Sequence, residues 1–383
     1  MIASECCSCM TMRGENHKNT SKVRPVPSQF NGDCLSEQVN ASDAGRPWVV
    51  GSMIWTLFDY YGEPYGHAWP HVASSYGSFD LAGFPKAAVW FYRALWLSGI
   101  AADAPDRPAL PQLDTVRIVQ DNEPGSRAPD PEGGSGLRNV IQVYSSCPSV
   151  ELFVNGESRG KQGVLRLPAV SASGGQWAEW SFPFTPGNLT AVGYSSAGTA
   201  TARHTVETAS AATAVVISVD VPSVASGTGE ALVLDGQDTG LLRATVVDSK
   251  GRTVPSSAHN VTFTVVSGPG RIIAVGNGDP TNHQPNRVAW RSAFHGLVRG
   301  ILQVTTDAAS KNRDMLLQVD TDRDTSQLTI VPSTSAAPTE PIVVEAASPG
   351  LQSSRTVVRV SADLQRDGVL PVAARSTDIA FTP

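Results

Sequence analysis

Residues 48–61 read WVVGSMIWTLFDYY, an apolar run almost without interruption. A strand with one wet face alternates polar and apolar residues. A continuous run suits a strand buried on both faces, the condition inside a parallel α/β sheet. The chain then crosses a loop rich in Gly and Pro and reaches residues 83–100, GFPKAAVWFYRALWLSGI. Here Ala88, Val89, Phe91, Tyr92, Leu95 and Trp96 recur at helical spacing, with Pro85 near the first turn and Gly99 after the last. Strand, loop and helix in that order make half of a β/α repeat. Five of the eight tryptophans (Trp48, Trp55, Trp69, Trp90 and Trp96) fall in this first stretch, which sets it apart from the rest of the chain.

From about residue 101 the texture changes. A Pro-rich connector, AADAPDRPALPQLD, leads into short runs of period two: NVIQVYS, SVELFVNGESRGKQ, WAEWSFPF and LTAVGYS. Gly, Pro, Asn and Ser separate them, and Asn155-Gly156 after VELFV is a strong hairpin signal. Short alternating strands at this spacing predict an immunoglobulin-like sandwich over 101–212. A second begins near Thr213 with TAVVISVDVPS, LLRATVVDSKGRTVP, NVTFTVVSGPGRIIAVGNGDP and GLVRGILQVTT, and the turn from Asp248 to Gly251 fits the same architecture. Residues 306–340, full of charge, Ser, Thr and Pro, read as a long insertion before the last strands, IVVEAAS and RTVVRVS. The predicted order is a barrel-type α/β segment over 1–100, one sandwich, a second over 213–361, and a tail at 362–383.

Composition narrows the partners. The chain has 383 residues with a formal net charge of −6 and no dense Lys/Arg stripe, which argues against nucleic acid as the main partner. No apolar run approaches the 18 or so residues of a membrane-spanning helix, so no membrane association is expected. The start, MIASECCSCM, has no basic region and carries a carboxylate where a signal peptide needs an apolar core, so no secretory leader is read there. Sequons at Asn19, Asn40, Asn188 and Asn260 are the kind that arise by chance, and the compartment stays open. The five cysteines, Cys6, Cys7, Cys9, Cys34 and Cys147, are odd in number and lack paired zinc spacing. They read as small, half-apolar side chains. Neither metal nor cofactor is expected.

Chemistry concentrates in residues 55–86. Trp55, Asp59, Tyr60, Tyr61, Glu63, His67, Trp69 and His71 crowd into one loop after the buried strand. In a β/α barrel the loops at the C-terminal strand ends form the catalytic face. Aromatic rings with interleaved carboxylates suit sugars, whose CH faces stack on indole while their hydroxyls bond to polar side chains. Two other features read more plainly. Trp177 and Trp180 in GQWAEWSFPF are expected to fill a core, and GNGDPTNHQP, with Asn277, Asp279, Asn282 and His283, is a turn before it is a Ca²⁺ loop.

GSMIWTLFDYYGEP, WPHVASSYGSFDLAGFPK and the helix AVWFYRALW together resemble the closing segment of the barrel in glycoside hydrolase family two, which includes β-galactosidases, β-glucuronidases and β-mannosidases. VELFVNGESRGK resembles the first of the extra sandwich domains in bacterial-type β-galactosidases. The run from VTFTVVSGPGRIIAVGNGDP to ILQVTT, with the Ser348–Leu351 turn SPGL, resembles the last. The likeness covers roughly 1–305 and 341–360. It implies a (β/α)8 barrel whose strand seven ends in S-E-x-x-S followed by R-G. This chain has Ser4-Glu5-Cys6-Cys7-Ser8 and then Arg13-Gly14, which maps Glu5 to the nucleophile, and Trp55 to the wall of the sugar subsite at the end of strand eight. Asp59 and Trp69 are the further substrate-binding candidates, and the implied partner is a β-linked sugar. The implied mechanism retains configuration through two carboxyl groups about 5–5.5 Å apart. The second, an acid/base Glu after an Asn on strand four, finds no match, since neither Glu15, Glu37 nor Glu63 follows Asn in a strand.

The resemblance therefore implies the C-terminal part of a glycosidase from a truncated or split gene. A different class also fits: tandem sandwiches acting as a non-catalytic carbohydrate-binding or adhesion module, which the segment 101–361 alone would satisfy. An adhesion module has no reason to keep S-E-x-x-S and R-G in front of a buried strand and an aromatic loop. Without its acid/base the chain is expected not to turn over a chromogenic β-galactoside. Normal turnover by the purified chain would overturn that expectation.

Overall fold

The computed structural model describes residues 2–4, 51–53, 56–64, 69–74, 77–97, 114–119, 127–129, 137–164, 177–305 and 340–362. The chain divides into two compact units, Met1–Ser210 with Gly278–His283, and Ala211–Asn277 with Gln284–Pro383. No described helix is long and apolar enough to cross a membrane.

The first unit opens with two short strands, β1 (Ile2–Ser4) and β2 (Gly51–Met53). They pair in parallel, Ile2 opposite Gly51 and Ser4 opposite Met53. Parallel neighbours need a long crossover rather than a hairpin, which agrees with the β/α reading. The expected helix is α1 (Ala87–Leu97), and Pro85 lies just ahead of it rather than in its first turn. Its buried face carries Ala87, Ala88, Phe91, Tyr92 and Ala94. Among the described residues this stretch holds one parallel strand pair and one helix; the expected (β/α)8 barrel portion is not shown by them.

Eight strands then build the first sandwich: β3 (Val116–Ile118), β4 (Arg127–Pro129), β5 (Leu137–Ser145), β6 (Ser149–Val154), β7 (Glu157–Gly163), β8 (Trp177–Pro183), β9 (Asn188–Tyr194) and β10 (Ala200–Glu207). In one sheet β5 pairs with β3 and β4 at its two ends and with β8 along nearly its whole length; the other runs β10-β9-β6-β7. Period-two alternation supplies the core: Val150, Leu152 and Val154 of β6 meet Ile141, Val143, Trp180 and Leu189. The Asn155-Gly156 turn forms as the sequence predicts, with φ of 51° and 87° at the two positions, as a two-residue hairpin with paired left-handed residues requires. Asn155 also accepts from the Asn188 amide and donates to the Pro186 carbonyl, so one turn residue ties two loops. The edge strand β7 is exposed, and its Arg159 and Lys161 guard it against pairing with another chain.

The two tryptophans of β8 part company. Residues three apart on a strand face opposite sides, so Trp180 enters the sandwich core while Trp177 packs with the cluster of α1 and Tyr144. Phe91 of that cluster meets Tyr144 edge-on, with ring centroids 5.5 Å apart.

The second unit contains β11 (Ala212–Val221), β12 (Ala231–Val233), β13 (Thr239–Asp248), β14 (Asn260–Ser267), β15 (Gly270–Gly276), β16 (Trp290–Ser292), β17 (Leu297–Val304), β18 (Ile342–Ala347) and β19 (Ser354–Ser361). Its sheets run β11-β13-β17-β15 and β12-β19-β18-β14-β16. Val215, Leu242, Phe263, Leu302 and Val344 lie in the core that they enclose. Gly300 of β17 faces the Phe263 ring so closely that a Cβ there would stand 3.1 Å from it. The fully buried Arg291 donates to the carbonyls of Gln284 and Val275 and to the Asn286 side chain, drawing the base of the β15–β16 connection together. Residues 306–339 between β17 and β18, and 363–383, lie outside the described residues.

One titratable group in the first sandwich sets a pH limit. His204 of β10 stands between two donor groups, the Ile118 amide 3.2 Å from Nδ1 and Arg117 Nη1 2.8 Å from Nε2, of which a neutral ring can accept from one. Burial first, and Arg117 second, lower its pKa from 6.5 to about 4. At pH 7 the ring is neutral both folded and unfolded. As pH falls below 6.5 the unfolded ring gains a proton that the folded ring takes only near 4, so stability declines through that window. The decline is expected to reach on the order of 2–3 kcal/mol by about pH 4. Denaturant midpoints of the wild type and of His204→Gln against pH check it; a wild-type slope that survives the substitution assigns the decline elsewhere.

Candidate functional site

The loop after β2 has little regular structure, and backbone bonds fold it onto itself. The Asp59 amide donates to the Phe79 carbonyl, Phe79 to Leu57, and Ser78 to Thr56, so the outgoing and returning arms lie side by side. Further along, the Gly62 amide donates to Val72 and the Ser74 amide to Tyr60. The returning arm is joined to the start of α1 by the Lys86 amide, which donates to Ser78.

Inside this doubled loop sits a buried ion pair. Lys86 Nζ lies 2.7 Å from Asp59 Oδ1, and both side chains are almost wholly shielded, at 2% and 1% exposed. The same oxygen accepts from the Gly77 amide at 2.7 Å. Burial pushes the Asp59 carboxyl above its ordinary range, while the Lys86 ammonium and the Gly77 amide pull it back. Gly77 is dictated by space, because a Cβ there would stand 2.1 Å from the Asp59 amide nitrogen. Asp80, also buried, accepts from the amides of Ala82 and Phe84 and rounds off the turn into the helix.

The outer side of the loop inverts the usual partition. Leu57, Phe58 and Tyr61 are exposed, and Trp69 is 78% exposed. Residues 278–283 complete the site within the first unit. The Val72 amide donates to the Pro280 carbonyl, and His283 Nε2 bonds to the Pro70 carbonyl at 2.8 Å. The His283 ring centroid lies 4.4 Å from that of Trp69, with the planes tilted by 47°. Asp279 spends one carboxylate oxygen on the amide and hydroxyl of Thr281, and Asn277 donates to the Ser292 carbonyl. These bonds are those of a turn. Among the described residues no three His, Cys, Asp or Glu side chains converge as a metal site.

The structure thus brings Asp59 and Trp69 into one loop, with the carboxylate turned inward and the indole outward. Glu5, Trp55 and His67 lie outside the described residues, as do Cys6, Cys7, Cys9 and Cys34. Sequence reasoning passed over Lys86 and weighed His283 only as part of a turn or Ca²⁺ loop. A lysine in the GFPK run just before an apolar helix was the available signal for the first; for the second, GNGDPTNHQP marks the turn but not its partner at Pro70.

Comparison with known proteins adds a family context. Residues 225–313 match the family described as glycoside hydrolase family 2 C-terminal domain 5, and 138–202 match a domain of unknown function (DUF4982). The chain is 29% identical over 256 residues to Beta-galactosidase BoGH2A of Bacteroides ovatus, a stretch that covers 67% of this chain and 26% of that protein. The chain therefore spans about a quarter of the length of this curated relative. In fold it resembles a β-glycosidase from Bacteroides vulgatus, at TM-score 0.61 and 20% identity over 85% of this chain and 33% of that one. It also resembles a β-glucuronidase from glycoside hydrolase family 2, at TM-score 0.60 and 18% identity over 97% of this chain and 33% of that one.

Removing one partner of a buried pair leaves an uncompensated charge. Lys86→Met is expected to destabilise the first unit by about 3–5 kcal/mol. The double variant Asp59→Asn/Lys86→Met, which keeps an acceptor for Gly77, is expected to recover most of that loss. Denaturant unfolding measures both; a Lys86→Met chain as stable as wild type would deny the pair its structural weight.

Proposed function

We propose that the chain, whose residues 225–313 match a C-terminal domain of glycoside hydrolase family 2, serves a retaining glycosidase of the β-galactosidase type. The reading draws its main support from β1 and β2. Their parallel register places both C-terminal ends on one edge, with Ser4 opposite Met53. In the chain Glu5 follows Ser4 directly, and Trp55 stands two residues after Met53. In parallel barrels that edge is where catalytic residues gather.

In the proposed mechanism the ionised Glu5 attacks the anomeric carbon. The bond to the leaving oxygen breaks as a second carboxylic acid protonates that oxygen, and a glycosyl-enzyme forms. The same second group then takes a proton from water, whose oxygen attacks the anomeric carbon and frees Glu5. No residue of this chain is assigned to the second group. Trp55 and Trp69 supply stacking faces for sugar rings, and Asp59 acts on the site through Lys86 by fixing the loop's path. The two sandwiches stand as the immunoglobulin-like domains appended to such enzymes.

Glycosylation by an activated sugar needs the nucleophile alone, because a good leaving group departs without a proton. The purified chain is therefore expected to form a covalent adduct on Glu5 with 2,4-dinitrophenyl 2-deoxy-2-fluoro-β-galactoside, located by peptide mass spectrometry and absent from Glu5→Gln. An adduct on another residue, or none at all, would remove the proposed nucleophile. Sugar binding without any adduct would favour the tandem-sandwich binding module.

A further inference from the structure

Trp69 is the most exposed large aromatic side chain among the described residues, yet its neighbourhood is organised rather than loose. The peptide that follows it is gripped by His283, whose Nε2 reaches the Pro70 carbonyl at 2.8 Å. A carbonyl can only accept, so the imidazole proton stands on Nε2. In the neutral ring Nδ1 is then an acceptor, and His283 itself is exposed. The imidazole also flanks the indole, at 4.4 Å between centroids and 47° between planes. That contact leaves most of Trp69 open. Within the same unit Val72 and Pro280 fix the two segments by a backbone bond of 2.9 Å. A side chain added at Gly278 would strike Asp80, so the close approach at this point is built into the sequence.

We propose that Trp69 and His283 form a two-part sugar subsite. The indole offers its open face to the CH side of a pyranose ring, and His283 both holds the Trp69-Pro70 segment and presents Nδ1 to a sugar hydroxyl. The subsite rests on the glycosidase reading of the aromatic loop and adds to it a residue from a distant part of the sequence. Two neighbouring groups of opposite character suit a ring with one apolar face and an equatorial rim of hydroxyls. A flat apolar ligand would use the indole and leave Nδ1 unanswered.

The test is ligand-observed NMR titration of the full chain with phenyl β-D-galactoside and phenyl β-D-glucuronide. Trp69→Ala is expected to abolish binding of the preferred sugar. His283→Leu keeps apolar bulk but removes donor and acceptor, and is expected to weaken binding about tenfold, the order of one lost hydrogen bond. His283→Gln, whose amide can donate to Pro70 and accept from a hydroxyl, is expected to restore most of the affinity. Binding unchanged in Trp69→Ala, or undetectable in the wild type, would overturn the loop's sugar reading itself. Loss in Trp69→Ala with full affinity in His283→Leu would overturn the subsite alone, and so would failure of His283→Gln to rescue, since packing rather than hydrogen bonding would then be at work.

Discussion

The Asp59–Lys86 ion pair is the constraint on which the geometry of the loop depends. A segment with so little regular structure has few ways to hold one shape. Here the carboxylate gathers an ammonium from the threshold of α1 and an amide from the returning arm on a single oxygen. Backbone bonds from Asp59 to Phe79 and from Lys86 to Ser78 then follow the same path. Burying a charge is costly unless it is paired and hydrogen-bonded, and this one is both. The direction of the Asp59 shift records the balance: desolvation outweighs the attraction that Lys86 provides. Such a pair contributes little net stability and a great deal of geometry, because any displaced arrangement strands a charge.

The pair also explains why the aromatic residues point outward. With the loop's inner side taken by polar clips, Leu57, Phe58, Tyr61 and Trp69 have no interior to enter. Monomeric proteins seldom gather exposed rings without a use for them. Steric limits reinforce the arrangement, since Gly77 and Gly278 sit where a Cβ would collide with Asp59 and Asp80 respectively. Outward rings thus accompany a loop tied inside by hydrogen bonds, and in the proposed subsite such ties would hold the surface ready before its ligand arrives.

Much of this was legible in the sequence where the signal is local. SVELFV alternates along β6 as the period-two rule requires, Asn155-Gly156 makes its turn, and the apolar spacing after GFPK becomes α1. The short alternating runs after residue 101 become antiparallel strands such as β5, β6, β8 and β9. Long-range features were not legible. Asp59 and Lys86 are 27 residues apart, and His283 lies 213 residues from Pro70, separations that no propensity or period spans. Trp177 shows a subtler failure. Its strand was foreseen, but which of two tryptophans fills the sandwich depends on the strand's facing, and α1 gives the other side an apolar neighbour of its own.

The sandwich cores and the aromatic loop of this chain are held by different chemistry. Several of the fully buried positions of the sandwiches, Ile141, Leu152 and Leu189 in one and Leu232, Leu242 and Leu302 in the other, are aliphatic and satisfied by packing alone. They tolerate exchange among apolar residues of similar volume and carry no information about a ligand. The loop of Asp59, Trp69 and Lys86 works by hydrogen bonds and facing, where a single atom decides the outcome. In the proposed subsite, a change at Trp69 or His283 alters sugar binding while leaving the sheets intact. On that proposal, sugar preference is a question about the loop, and the sandwich domains that carry the family match cannot answer it.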